Sequence, residues 1–389
     1  MEIIRVDPGE STLSGKGGRV VSVRVSSSVS FDTPVRPLSI AETIAKDYLG
    51  YRGILESPIA IMPIDLQSND GYTKFLRKNG FIHENQNNLQ SFTDRNHGKP
   101  CAPLLQLPPL DFDDRVPFKI AFDMQKDVDG LAFMCMPEVD VEYDDYEKAV
   151  RDWCSSCEDY GKEGIVQLSL SDNPEVFKRR LQILSELSHT GEVQIINIRY
   201  SPRSTIQLSE LWNKKGEINA VINCSEVPTT IQQKVIEGVE RDIEYDLLSH
   251  GFDSITRKKK KVNSKFMARR NFADPPTTLD GIDKFKVATH QAAVMIGSDI
   301  WRHMEHSPEC KCSVCRGNSK LALIDKFAYK DNGDIDPSGM RYFARLHDHQ
   351  SDNIELDVLR KYIRERDTPD YETRLDKNLD GIVDKIKQS

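Results

Sequence analysis

Repeated strand-then-helix segments from about residue 118 onward predict an α/β protein built on a parallel sheet, either open or closed into a barrel. Composition agrees: 38% hydrophobic and 29% charged residues in a chain of 389 describe a folded, water-exposed protein with a sizeable core. The length suits two to three average domains, or one large barrel with additions. No run of about 18 apolar residues occurs, so no membrane span is expected. The opening MEIIRVDPGES carries acids and lacks an apolar core like that of a secretory signal, which leads us to expect a cytoplasmic protein.

Taken in order, residues 1–30 alternate apolar and polar side chains, as in Arg19-Val20-Val21-Ser22-Val23, and predict short strands. Ser39 is placed to cap a helix that ends at Gly50. Ile59–Met62 reads as a strand. Residues 82–117, rich in Asn, Pro and Asp, read as a long loop. FKIAF at 118–122 and LAFMCM at 131–136 read as strands, and 143–161 as a helix. GIVQLSL is a strand, PEVFKRRLQILSELSHTG a helix closed by glycine, and VQIINIRY and INAVINC two more strands. Residues 229–251 read as largely helical, FDSIT as a short strand, and 283–304 and the C-terminus as helices. The predicted division is an N-terminal segment with the first barrel elements and a long loop (1–117), a main barrel (118–300), and a metal-binding subdomain with C-terminal helices (301–389).

The net charge of −8 excludes a whole-chain attraction to nucleic acid, but the charge is uneven. Eight of the fourteen residues from Arg257 to Arg270 are basic, including Lys258, Lys259, Lys260, Lys261, Lys265 and Arg269. Such a segment can guide a polyanion to one face; its bland reading is a solvated charge run.

The most specific motif is Cys310-x-Cys312-x2-Cys315. Three thiolates in a turn-forming context suit one tetrahedral zinc, which takes sulfur and imidazole ligands. His349 and His347 downstream, or His306 and His303 upstream, are candidates for the fourth ligand. Cys154-x2-Cys157 lies within a predicted helix beside Trp153 and reads as core rather than as a redox pair. Gln167 ends GIVQ on a strand, where a barrel keeps its chemistry. Asp253, in HGFDSITR, stands on a late strand beside the basic run, as a glycosyl-transfer nucleophile would.

In their order, these residues resemble the tRNA-guanine transglycosylase superfamily, closest in character to the DNA-guanine transglycosylases of 7-deazapurine DNA modification. Asp32-Thr33-Pro34 matches its N-terminal TP segment, residues 164–167 its GIVQ, Phe252-Asp253 its FD strand, and the cysteine cluster with His349 its zinc motif. The resemblance spans roughly residues 30–365. It implies a TIM-like (β/α)8 barrel with an N-terminal β segment and a C-terminal zinc-binding subdomain. It further implies exchange of guanine for a 7-deazaguanine (preQ0-like) base through a covalent aspartyl–sugar ester, with one structural zinc. Carried over, Asp253 is the nucleophile, Gln167 reads the base, and the basic run holds the polymer. The family's DSGG loop has no plain match; Asp70 in Ser68-Asn69-Asp70-Gly71 is the substitute acid, and Glu138 the nearest base-contacting acid. A three-residue shift of register puts Thr256 at the nucleophile's place, and Asp274 is a further acid to consider. DNA is favoured over tRNA, and a homodimer is compatible with the sequence. The alternatives are a tRNA-modifying enzyme, a non-catalytic nucleic-acid-binding barrel, and an unrelated zinc-dependent barrel hydrolase.

Overall fold

The computed structural model describes residues 1–257 with breaks at 10–17, 52–56, 111–114, 228–233, 242–246 and a few shorter gaps, then 312–314, 332, and most of 337–374. Two units are distinguished. The first comprises Met1–Ile40, Pro58–Val227 and Leu247–Lys258; the second comprises Ala41–Ser57, Pro228–Asp246 and Lys259–Ser389.

The first unit opens with an antiparallel sheet of β1 (Glu2–Asp7), β2 (Val20–Arg24) and β3 (Ser30–Asp32), in that order. The Val-Ser-Val alternation of β2 turns Val21 and Val23 inward, where Ile3, Val6 and Phe31 pack on them.

A ring of parallel strands follows. β4 (Leu38–Ser39), β5 (Ala60–Asp65) and β6 (Cys101–Gln106) form one run. β7 (Phe133–Cys135), β8 (Glu163–Ser169), β9 (Ile195–Arg199), β10 (Val221–Val227) and β13 (Ser254–Arg257) form the other. Backbone bridges join the two runs at both seams. Ala132 N–H donates to Cys101 O at 3.1 Å, and Leu110 bridges Val139. Val35 N–H donates to Asp253 O at 2.8 Å, beside the parallel bridge Val35–Ser254. The two runs joined in this way form an α/β barrel. Its helices are α2 (Asn69–Arg77) and α3 (Asn79–Arg95) after β5, α4 (Arg115–Lys126) after β6, α5 (Tyr143–Glu158) after β7, α6 (Pro174–His189) after β8, and α7 (Thr205–Lys214) after β9.

The expected loop at 82–117 is instead helix, strand and the start of a helix. The inward positions 85, 89 and 92 of α3 and Asn96, in the turn just after it, include two asparagines, which disguise the apolar period. Both are satisfied by carbonyls of α3: Asn85 Nδ2 donates to Phe81 O and Asn96 Nδ2 to Phe92 O, each at 2.8 Å. FKIAF belongs to α4 and not to a strand. Phe118 and Phe122, one helical turn apart, both meet the Trp153 ring.

The second unit holds most of α1 (Ile40–Tyr48), a hairpin of β11 (Lys234–Ile236) and β12 (Val239–Arg241), and α8 (Pro337–Glu365). The hairpin replaces the helix expected there. Its strands pair Lys234 with Arg241, Val235 with Glu240 and Ile236 with Val239. The helix expected at 283–304 lies outside the described residues. Among the described residues, no helix is long and apolar enough to cross a membrane.

Candidate active site

All barrel strands run the same way, so the barrel has one end of strand starts and one of strand ends. At the starts, Arg19 and Asp253 form an ion pair with both side chains at 0% exposure. Arg19 Nε lies 3.2 and 3.0 Å from the two carboxylate oxygens, and Arg19 also donates to the carbonyls of Lys215, Ile218 and Ala220. Thr33 Oγ1 donates to Asp253 Oδ1 at 2.7 Å, and Ile222 N–H to Oδ2 at 2.8 Å. Gly251, at φ +101°, leaves room for the adjacent Lys215; a Cβ there would stand 2.7 Å from Lys215 Cβ. Burial, then repulsion from Arg19, lowers the Lys215 ammonium to about 8.

Asp253, expected as the nucleophile, sits at the strand starts, buried, with both carboxylate oxygens engaged by donors.

The interior above this floor is polar. Gln167, Asn197, Asn223 and Ser254 lie level on four adjacent strands. Ser254 Oγ and Thr256 Oγ1 donate to Asn223 Oδ1 at 2.7 and 3.1 Å. Asn223 Nδ2 donates to Asn197 Oδ1 at 2.7 Å, and Asn197 Nδ2 donates to Gln167 Oε1 at 3.2 Å and to Ser225 Oγ at 3.1 Å. Gln167 Nε2 donates to the carbonyls of Leu105 and Met136, each at 2.7 Å. Barrel interiors are usually filled by branched apolar side chains. Here each amide is satisfied by its neighbour, so burial is tolerated and the ladder is rigid. Gln167, expected to read the base, is 5% exposed, and both its amide hydrogens hold backbone carbonyls across the β6–β7 seam. Thr256 belongs to this ladder too.

Charge gathers at the strand ends. Pro137 ends β7, and the next residue, Glu138, is pinned where its carbonyl accepts from Leu110 N–H at 2.8 Å. Its side chain, in a residue 4% exposed, accepts from Arg199 Nη2 at 3.0 Å. Arg199, the last residue of β9, also reaches Ser169 Oγ at 3.4 Å. Asp172 pairs with Arg180 at 3.4 Å; Arg180 donates to Val141 O and lies 4.9 Å over the Tyr146 ring. Glu226, near the end of β10, has φ +60°, rare for a residue with a side chain and costing on the order of 1 kcal/mol. Gln67 Nε2 donates to Glu226 Oε1 at 3.0 Å.

Burial pushes the Glu138 carboxyl up to about 7. Arg199 and Arg180 oppose the rise, Asp172 and Glu226 add to it, and burial outweighs the guanidiniums. Asp172 is raised for the same first reason. A carboxyl that holds its proton near neutral pH at the strand ends of a barrel, beside other carboxylates, can serve as a general acid.

Sequence reading found Glu138 but missed Arg199, Asp172, Arg180 and Glu226. Arg199 and Glu226 had a signal: each is a lone charge closing an apolar strand. Asp70 lies on α2 with its side chain 77% exposed, paired with Lys74 at 2.5 Å. Arg257 ends β13. Lys258, Lys259, Lys260, Lys261, Lys265, Arg269, Arg270 and Asp274 lie outside the described residues, as do Cys310, Cys315, His303 and His306. Cys154 and Cys157 are buried in α5, and burial raises the Cys154 thiol to about 12, as a core position would have it.

In the second unit, Cys312 Sγ lies 3.3 Å from His347 Nδ1 on α8. Ligands 2.0 to 2.3 Å from a tetrahedral zinc stand about 3.5 Å apart, so this pair fits two corners of such a site. His349 is two residues on, roughly 200° around the helix, and contacts Asn353 at 3.3 Å. Tyr51 OH donates to Ser313 Oγ at 3.0 Å and steadies the same turn.

No family model matches the chain, and no curated protein matches it. Solved structures give likenesses of low score. The tryptophan synthase α-subunit of Pyrococcus furiosus is 10% identical, with 58% of this chain and 86% of that one covered and a TM-score of 0.34. The YdjI aldolase of Escherichia coli K12 is 8% identical, covering 83% and 91%, at 0.35. The fructose-bisphosphate aldolase of Campylobacter jejuni is 10% identical, covering 84% and 88%, at 0.37. The barrel assignment rests on the hydrogen-bonded ring of strands, and these likenesses add nothing to the function.

Proposed function

We propose that this chain is a base-exchange glycosyl transferase that replaces guanine by a 7-deazaguanine in nucleic acid, DNA in preference to tRNA. The observation that carries the reading is Glu138. A leaving base needs a proton, and Glu138 holds one near neutral pH at the strand ends. The order of the TP, GIVQ, FD and cysteine motifs supports the substrate class, and the basic run supports a polyanion. Incubation with labelled guanine or 7-deazaguanine and either polymer tests it. Label is expected to enter DNA with the wild type and not with Glu138→Gln. Binding without label transfer to either polymer would overturn the exchange reading. It would favour the non-catalytic nucleic-acid-binding barrel, for which the burial of Asp253 is the specific argument.

The zinc in this reading is structural, held by Cys310, Cys312, Cys315 and His347, and orders the second unit without entering the chemistry. His347→Ala is expected to lower the zinc content of the purified protein severalfold, and His349→Ala to leave it near one per chain. Metal analysis that gives the reverse order would return the fourth ligand to His349.

A further inference from the structure

We propose that Lys215 is a modification site whose Nζ takes up carbon dioxide as a carbamate. The site lies at the strand starts, apart from Glu138, and the proposal does not depend on base exchange.

Lys215 is 4% exposed, and among the described residues its Nζ has no hydrogen-bond partner. A buried ammonium is ordinarily given acceptors. The same barrel supplies them to the half-buried Lys162, whose Nζ donates to the carbonyls of Gln125 and Val128 at 3.0 and 2.9 Å. At Lys215 the carbonyls of its own stretch of chain are already taken. Arg19 draws on those of Lys215, Ile218 and Ala220, and Glu217 N–H on that of Lys214 at 2.8 Å. Arg19 faces Lys215 with a like charge, and Asp253 has both oxygens engaged by Arg19, Thr33 and Ile222. Lys214 and Glu217 pair with each other at 2.8 Å. The Trp212 ring, whose centre lies 5.3 Å from Nζ, attracts the ammonium only weakly. Trp212 Nε1 is itself buried and without an acceptor. The lysine stem meanwhile occupies a place made for it, since any side chain at position 251 would collide with it.

Donors thus crowd a nitrogen that is itself a donor, and a modification suited to the place must add acceptors. An imine with an aldehyde adds none and brings the aldehyde's substituents into a closed space. A carbamate adds two acceptor oxygens and a negative charge, which turns the repulsion from Arg19 into attraction. In the step, the Nζ lone pair bonds to the carbon of CO2 and one C–O π pair moves onto oxygen. One Nζ proton leaves to solvent, and no further reactant is needed. The reacting form is the neutral amine. Burial and Arg19, which lower Lys215 to about 8, make that form available near neutral pH.

The test incubates the full chain near pH 8 with sub-saturating, isotope-labelled bicarbonate, which maintains dissolved CO2. Carbamates are trapped with a trialkyloxonium salt before digestion and mass spectrometry. Label on the Lys215 peptide is expected to exceed that on an exposed-lysine peptide by on the order of 10²-fold, the ratio of neutral amine at about 8 and at 10.5. A ligand held by the folded chain alone also stabilises it, so bicarbonate should raise the wild-type melting temperature at fixed pH and ionic strength. Lys215→Met should abolish that rise. Label absent from Lys215, or no greater there than at other amines, overturns the proposal, as does a bicarbonate-dependent rise that Lys215→Met retains. The trapping needs only wild type, so a Lys215→Met chain that fails to fold leaves the question decided.

Discussion

Asparagine at position 253 is expected to destabilise the fold by about 3 to 5 kcal/mol, the range for breaking a buried ion pair. Arg19 and Asp253 are both closed to solvent, so the guanidinium left behind keeps its charge without a counter-charge. The amide cannot substitute by shape. Whichever side its NH2 takes, it faces donors: Arg19 and the Thr33 hydroxyl at one oxygen position, Arg19 and Ile222 N–H at the other. The loss also spreads, since Arg19 ties the start of β2 to the carbonyls before β10. Arg19→Met should cost a similar amount, and the double variant Arg19→Met/Asp253→Leu should recover much of it, because two apolar groups leave no orphaned charge. Denaturant melts of the four proteins form the cycle. A folded Asp253→Asn within 1 kcal/mol of wild type, yet devoid of exchange, would restore Asp253 to the chemistry.

That reversal shows which parts of the molecule the sequence exposes. β8 and α6 are legible: GIVQLSL is an unbroken apolar run, and Asn173 followed by proline caps the helix, its Oδ1 accepting from Glu175 N–H at 3.0 Å. α3 is illegible by composition, because its inward asparagines satisfy themselves on their own backbone. The TP and FD motifs are visible as letters in order, but letters do not say at which end of a strand a side chain sits. Thr33 and Asp253 in fact bond to each other at the strand starts. The acid proposed for the chemistry depends on a quantity absent from any local window, the burial of Glu138. The choice between His347 and His349 likewise needs the rotation of α8 relative to Cys312.

Glu138 sets the second large effect, through pH. Its carboxyl ordinarily releases its proton near 4.5 and here near 7. Between those values the unfolded chain ionises and the folded chain does not. The stabilisation due to Glu138 is therefore whole below 4.5 and lost as pH rises through 7, on the order of 3 kcal/mol in all. Wild type should accordingly lose more stability than Glu138→Gln between pH 5 and pH 8. Activity should follow the same proton. As the general acid, Glu138 must be protonated, so kcat/KM for base exchange is expected to fall tenfold per pH unit above about 7. Glu138→Gln keeps the shape and the hydrogen bond but has no proton to give; its rate should be 10²- to 10⁴-fold lower and should lose that descending limb. The limb is the discriminating part. A residue that merely braced Arg199 could lower the rate on substitution, but the decline above pH 7 would persist in the variant. Its persistence would assign the proton to another group and leave Glu138 as a buried partner of Arg199.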